Sequence, residues 1–257
     1  MDLGLKDKTF VIGGGSKGLG RGVAEALIAE GARVLLLSRD EANLVQAVDD
    51  LGPSARAVAV DMAYPGTAEQ VAAAVDAEFG GRLDGVLVNA GGPPAGMALQ
   101  LSDEQWLAAY QLLIGGPLRL LRALVPKMDR GGAILFITST SVRQPIPNLD
   151  SSNVLRPGVA ALAKTLAREL APAIRVNSLA PGRFDTDRIR TLDASRAETL
   201  GVSQEQVAAA SSKEIPLGRY GEPIELGRFA AFLLSPAASY VSGLAAQVDG
   251  AMVTALP

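Results

Sequence analysis

Seven apolar runs of strand length alternate with stretches of helical period, and that alternation leaves few folds open. The runs are Thr9–Ile12, Arg33–Leu37, Ala57–Val60, Gly85–Val88, Ala133–Ile137, Ile174–Asn177 and Ala246–Asp249. Between them the hydrophobic period predicts helices over Gly18–Ala29, Glu41–Leu51, Thr67–Phe79, Ser102–Met128, Ser151–Leu170 and Pro223–Leu234. Strands interleaved with helices make a parallel sheet covered on both faces, because each connection must cross back over the sheet. The expected fold is α/β, a single-domain Rossmann-like doubly wound parallel sheet of seven strands over residues 1–257. Ligands of such sheets lie beyond the carboxyl ends of the strands, where strand order reverses. The stretch from Arg183 to Pro216 reads as the least regular and most polar. It is expected to be a lid over a substrate pocket or a plain surface excursion.

The first strand runs directly into Gly13-Gly14-Gly15-Ser16-Lys17-Gly18-Leu19-Gly20 and then into a helix. Glycines let the backbone turn tightly and approach phosphate groups without a Cβ in the way. The following helix offers unpaired N–H groups and the positive end of its dipole to an anion. Strand, loop and helix together are the context that a pyrophosphate-binding turn requires. Nucleotide binding is the expected organising function.

Composition narrows the chemistry further. The chain has 257 residues, a net charge of −3 and no block of like charge, which argues against nucleic acid or an anionic membrane as partner. No apolar run reaches the ~18 residues of a membrane span. The first strand begins close to Met1 and leaves no room for a signal peptide, so a cytoplasmic protein is expected. Cysteine and histidine are both absent. Disulfides, the usual zinc sites and Ser-His or Cys-His nucleophile pairs are thereby excluded, and no metal is expected. Acid–base work must fall to carboxylates, Tyr, Lys, Ser, water or a cofactor.

These landmarks resemble the short-chain dehydrogenase/reductase family along essentially the whole chain. The phosphate loop is similar to that family's Thr-Gly-x-x-x-Gly-x-Gly, with Gly13 where Thr is usual and matches at Gly14, Gly18 and Gly20. Val88-Asn89-Ala90-Gly91 resembles its Asn-Asn-Ala-Gly motif with the first Asn lost. The resemblance implies cofactor contacts from the loop residues Gly14, Ser16, Lys17, Gly18, Leu19 and Gly20. It places Asp61 and Met62 beside the adenine, with Asn89, Ala90 and Gly91 further along the groove. Pro181, Gly182 and Thr186, following Arg175-Val176-Asn177, would flank the nicotinamide. It also implies a homo-oligomer, a dimer or tetramer, packed through the long helices and the C-terminal segment. Leu107, Leu112, Leu113, Leu118, Leu121 and Leu124 could serve either core or interface.

Cofactor choice turns on the end of the second strand. A ribose 2′-hydroxyl favours a carboxylate there, and a 2′-phosphate favours cations. Ser38 stands at the usual acidic position, Arg39 follows, and Lys17 adds charge from the phosphate loop. NADP(H) is expected over NAD(H), although Lys17 and Arg39 would look the same as solvated surface charges.

The reaction is less legible. Ser139 falls where the family's catalytic Ser follows the fifth strand. Thirteen residues on, the family's Tyr-x-x-x-Lys reads Ser152-Asn153-Val154-Leu155-Arg156, and its catalytic Asn falls at Leu113. Positions 152 and 156 share one helix face. Arg156 keeps the charge and can still bond ribose hydroxyls, so it is both a catalytic and a cofactor-binding candidate. Lowering a phenol from about 10 to about 7 takes roughly 4 kcal/mol. An aliphatic alcohol, starting near the ~15.7 of water, would need about 12. Ser152 therefore reads as a hydrogen-bonding or space-making residue.

Substitute proton sources are Tyr110, a relay through Asp150 or Asp185, or a water held by Ser139 and Arg156. Arg143 and Arg183 would suit a carboxylate or phosphate on the substrate, or be surface charge. Two functions remain open. One is an NADP(H)-dependent oxidoreductase acting on a carbonyl or hydroxyl of a small-molecule substrate, with a non-standard proton donor. The other is a catalytically degenerate NADP(H)-binding sensor or structural protein.

Overall fold

The computed structural model describes residues 1–255. Its strands are β1 (Thr9–Gly13), β2 (Arg33–Ser38), β3 (Ala55–Ala59), β4 (Leu83–Val88), β5 (Met128–Ile137), β6 (Ile174–Pro181) and β7 (Ala245–Val248). All pair in parallel as one seven-stranded sheet in the order β3-β2-β1-β4-β5-β6-β7. Order reverses between β1 and β4, so the glycine loop opens onto the crevice that such a reversal creates.

The helices are α1 (Gly18–Ala29), α2 (Glu41–Leu51), α3 (Thr67–Phe79), α4 (Asp103–Tyr110), α5 (Gly116–Leu124), α6 (Asp150–Glu169), α7 (Asp187–Leu200), α8 (Gln204–Lys213) and α9 (Pro223–Leu234). Two apolar clusters sandwich the sheet. One joins α1, α2 and α9 through residues such as Leu27, Leu44, Leu226 and Leu234. The other joins α3, α5 and α6 through Val71, Leu120, Leu124 and Val159. Central strands buried on both faces explain their near-continuous apolar sequence, as in Val34-Leu35-Leu36-Leu37.

Two expectations are corrected. Ser102–Met128 is not one helix: α4 passes through a π-helical segment, Gln111–Gly115, into α5, and Met128 already belongs to β5. Of the leucines left open there, Leu113, Leu121 and Leu124 are buried core, whereas Leu107 is exposed. Arg183–Pro216, expected to be irregular, carries α7 and α8. Both helices are capped, by Thr186 and Ser203, whose side chains accept from Ile189 N–H and Gln206 N–H. Their apolar positions are too sparse for a period to show, and only Asp193 and Ala197 of α7 are buried.

Candidate active site

The groove forms where the ends of six strands bring separate sequence landmarks together. Gly14, at φ +60°, sits against Asn89, whose side-chain amide donates to the Gly13 carbonyl at 3.0 Å. A Cβ at Gly20 would lie 2.2 Å from the Gly14 carbonyl oxygen, so only glycine lets the loop fold back on α1. Ser16 donates to Ser38 across 3.0 Å, joining the loop to the end of β2. Arg39 and Asp61, from the ends of β2 and β3, approach to 3.8 Å, with Arg39 largely exposed. Gly18 faces the methyl of Thr186, and Lys17 pairs with Asp187 at 3.3 Å. Leu19 is half-buried, Met62 is buried, and Ala90 and Gly91 line the open edge after β4.

These residues fit an adenine dinucleotide. Unencumbered backbone N–H groups at the start of α1 would hold its phosphates. Ser16, Ser38 and Arg39, with Lys17 near by, offer hydroxyls and cations where a 2′-phosphate would project. The departures from the family pattern at Gly13 and Val88 also meet in space, one residue beyond the Ile12–Leu87 pair of β1 and β4.

At the far end of the groove, Gly182 follows β6 and is held by its N–H to Val248. Pro181, the last residue of β6, pairs with Val248. Arg175 and Asn177 do not face the groove. Arg175 donates to the carbonyls of Leu233 and Ser235, and Asn177 brackets Val241 and Leu244, so both tie β6 to the C-terminal segment.

Ser139 lies two residues beyond β5 and starts a short turn, accepting from the Ser141 N–H at 3.1 Å. Its own O–H is left to donate. Ser152 and Arg156 lie on α6 and are 8 % and 7 % exposed. Arg156 donates through Nη1 to the Ile137 carbonyl at 2.7 Å, while its Nε is buried without a partner. Burial first, and the charge of Arg188 second, lower its pKa to about 10, so it remains cationic at neutral pH. Beneath it lies a cavity of about 10 Å³, lined among others by Ala90, Leu113, Ile137 and Val159, with room for a single water.

Several sequence candidates fall away. Asp150 is occupied with Ala98 N–H and Asn153, and Asp185 with Arg190. Tyr110 is on the surface, like Tyr64 and Tyr240. Tyr220 donates to Asp193, and burial raises its pKa. Arg143 is exposed. Arg183 is paired with the buried Asp193 at 2.9 Å and stacks over Tyr220, so the expected Arg143–Arg183 anion site is not assembled. The cation that does reach the groove is Arg188, which donates to the Pro93 carbonyl at 3.0 Å. No motif announced it. Only the Thr186-Asp187 start signal hinted at a helix that would carry it inward.

A parallel α/β sheet with a glycine-rich phosphate cradle at its switch point defines a dinucleotide-binding oxidoreductase class. A family model described as Enoyl-(Acyl carrier protein) reductase matches residues 14–252. The chain is 30% identical over 254 residues to 3-oxoacyl-(acyl-carrier-protein) reductase of Vibrio cholerae, covering 97% of this chain and 99% of that one. Among solved structures it is similar to L-sorbose reductase from Gluconobacter frateurii complexed with NADPH and L-sorbose. That likeness has a TM-score of 0.93 and 32% identity, and covers all of both chains. It is also similar, with a TM-score of 0.87 and 29% identity over 97% of this chain and 98% of the other, to a short chain oxidoreductase from Pseudomonas aeruginosa PAO1. That enzyme is described as containing an atypical catalytic center. The chain belongs to the short-chain dehydrogenase/reductase family.

Proposed function

We propose that residues 1–257 form one dinucleotide-binding domain that works as an NADP(H)-dependent oxidoreductase on the carbonyl or hydroxyl of a small molecule. A 3-oxoacyl compound or another small ketone suits the groove. The observation that carries this reading is the Ser16–Ser38 hydrogen bond at the end of β2, with the exposed Arg39 next in the chain and no carboxylate at position 38. Gly14, Gly18, Leu19, Gly20, Asn89, Ala90 and Gly91 would hold the pyrophosphate and riboses, Asp61 and Met62 the adenine, and Pro181, Gly182 and Thr186 the nicotinamide. The reduced nicotinamide, when bound, supplies hydride.

This chain's own residues must then polarise the carbonyl oxygen and deliver a proton to it. Ser139 has a free O–H for the first task. Arg156 supplies positive charge on the same side of the groove and still has an N–H to give. The proton donor is non-standard, because the Ser152 hydroxyl stands where a phenol would serve. A water held between Ser139 and Arg156 fills that role. The α7–α8 segment covers the groove as a lid, and the protein is a cytoplasmic homo-oligomer of two or four chains.

Two measurements test this. Calorimetry on the unmutated chain is expected to give NADPH at least about tenfold tighter binding than NADH, and Arg39→Asp to reverse that order. Equal affinity for both coenzymes would remove the 2′-phosphate assignment. With NADPH and a panel of ketones, aldehydes and 3-oxoacyl esters, Ser139→Ala is expected to abolish the turnover followed by absorbance. Tight NADPH binding with no turnover of any carbonyl would instead identify a sensor or structural protein.

A further inference from the structure

The groove holds two guanidinium groups that no carboxylate among the described residues neutralises. Arg156 is buried, bonded only to the Ile137 carbonyl, with its Nε unpartnered. Arg188 reaches over the loop after β4, where a Cβ at Gly92 would lie 3.2 Å from its Nε and Nη2. It bonds only the Pro93 carbonyl. Ser151 donates to the neighbouring Pro94 carbonyl, so one loop carries Arg188 at one point and the start of α6 at the next. Neither arginine forms an ion pair among the described residues.

Acids are present in the neighbourhood but committed. Asp185 and Asp187 hold Arg190 and Lys17, Asp193 holds Arg183, and Asp150 holds Ala98 N–H. Arg156 is held out of water without a counter-charge, which is costly, and the charge of the exposed Arg188 near by adds to that cost. A ligand that brings its own negative charge relieves both costs.

We propose that Arg188 is the receptor for a carboxylate on the substrate, with the buried Arg156 adding positive charge behind it, making this a reductase of small oxo acids. The inference rests on the NADP(H) reading above and names its substrate class. Position argues for substrate over cofactor phosphate. The phosphate cradle is built on β1 and α1 and has Lys17 as its own cation. Arg156 is tied to the end of β5, with Ser139 two residues beyond its carbonyl partner. Arg156 on α6 and the Pro93-Pro94 loop that carries Arg188 both border the start of α6, so the two cations belong to the Ser139 end of the groove. Burial first, and the charge of Arg188 second, hold the pKa of Arg156 down, which places the two cations near one another.

Malonate, which has two carboxylates and no reducible carbonyl, is the probe, and neutral malonamide is its control. With the full chain saturated with NADP⁺, calorimetry is expected to show saturable malonate binding and none for malonamide. Arg188→Gln, an exposed substitution that spares the core, should weaken malonate at least about tenfold and leave NADP⁺ within about twofold. No malonate binding by a chain that retains NADP⁺ would overturn the proposal. So would equal malonate affinity in the variant, or a matching loss of NADP⁺, which would hand the arginine to the cofactor. If NADP⁺ itself is not retained, the oxidoreductase reading fails separately. Malonate titrated into the cofactor-free chain and its Arg188→Gln variant then still decides the receptor.

Discussion

Ser152→Tyr combined with Arg156→Lys is expected to raise NADPH-dependent reduction of an uncharged ketone by about 100-fold or more. A positioned general acid contributes roughly 10²–10⁴ to such a step, and this helix face now lacks one of suitable pKa. The two positions lie one turn apart on α6 and are both nearly buried at the groove. A phenol there would sit against a lysine whose charge lowers its pKa into the working range. Arg156→Lys alone should not raise the rate, because no phenol exists for the amine to act upon. Ser152→Tyr alone should give part of the gain, since Arg156 already supplies charge. The gains are therefore non-additive, and a double-mutant cycle measures the coupling. The pH–rate profile should acquire an apparent pKa between about 7 and 10, the signature of a titrating phenol. A double variant that folds, binds NADPH and turns over no faster would show that the missing phenol is not what limits this site.

How far the sequence alone reached depends on the kind of signal each feature leaves. Glu41–Leu51, Thr67–Phe79 and Pro223–Leu234 were readable to the residue, because their apolar stripes are bounded by Asp40, Gly80 and Pro223. The tight turn after β1 was readable because its glycines leave no room for a Cβ, as at Gly20. Ser102–Met128 failed because leucines continue its apolar period straight through a change of helix type. The clue was Gly115-Gly116-Pro117. A Cβ at Gly116 would stand 2.0 Å from the Met62 carbonyl, a long-range contact that no local pattern encodes. The polar helices α7 and α8 left no stripe to see, since they bury little.

The same limit decided the arginines. Arg183 and Arg188 lie five residues apart in an undistinguished polar stretch, and their fates depend on which acid lies within reach. Asp193, one α-helical turn and a half beyond Arg188, takes Arg183 and leaves Arg188 to the groove. Pairing of this kind is a property of the folded chain. A sequence can supply the candidates, and only packing assigns them.

Asp193→Ala is expected to lower stability by about 3–5 kcal/mol. Asp193 is 3 % exposed, and its two oxygens receive Arg183 at 2.9 Å and the Tyr220 hydroxyl at 2.8 Å. It therefore fastens α7 both to the segment leaving β6 and to the segment entering α9. Alanine would leave a largely buried guanidinium and a phenol hydroxyl without their acceptor, which costs more than the pair contributes when intact. For a chain of this size the melting temperature should fall on the order of 10 °C. Asp193→Asn should lie between, because an amide oxygen still accepts a hydrogen bond but neutralises no charge. Limited proteolysis should find new cleavage within residues 187–213 before the sheet is attacked, as α7 and α8 lose their anchor while the two apolar clusters remain. The Lys17–Asp187 and Arg188–Pro93 contacts would loosen with α7, so malonate binding should weaken more than NADP⁺ binding. An unchanged melting temperature, with no new cleavage, would show that α7 and α8 are held by their apolar contacts alone.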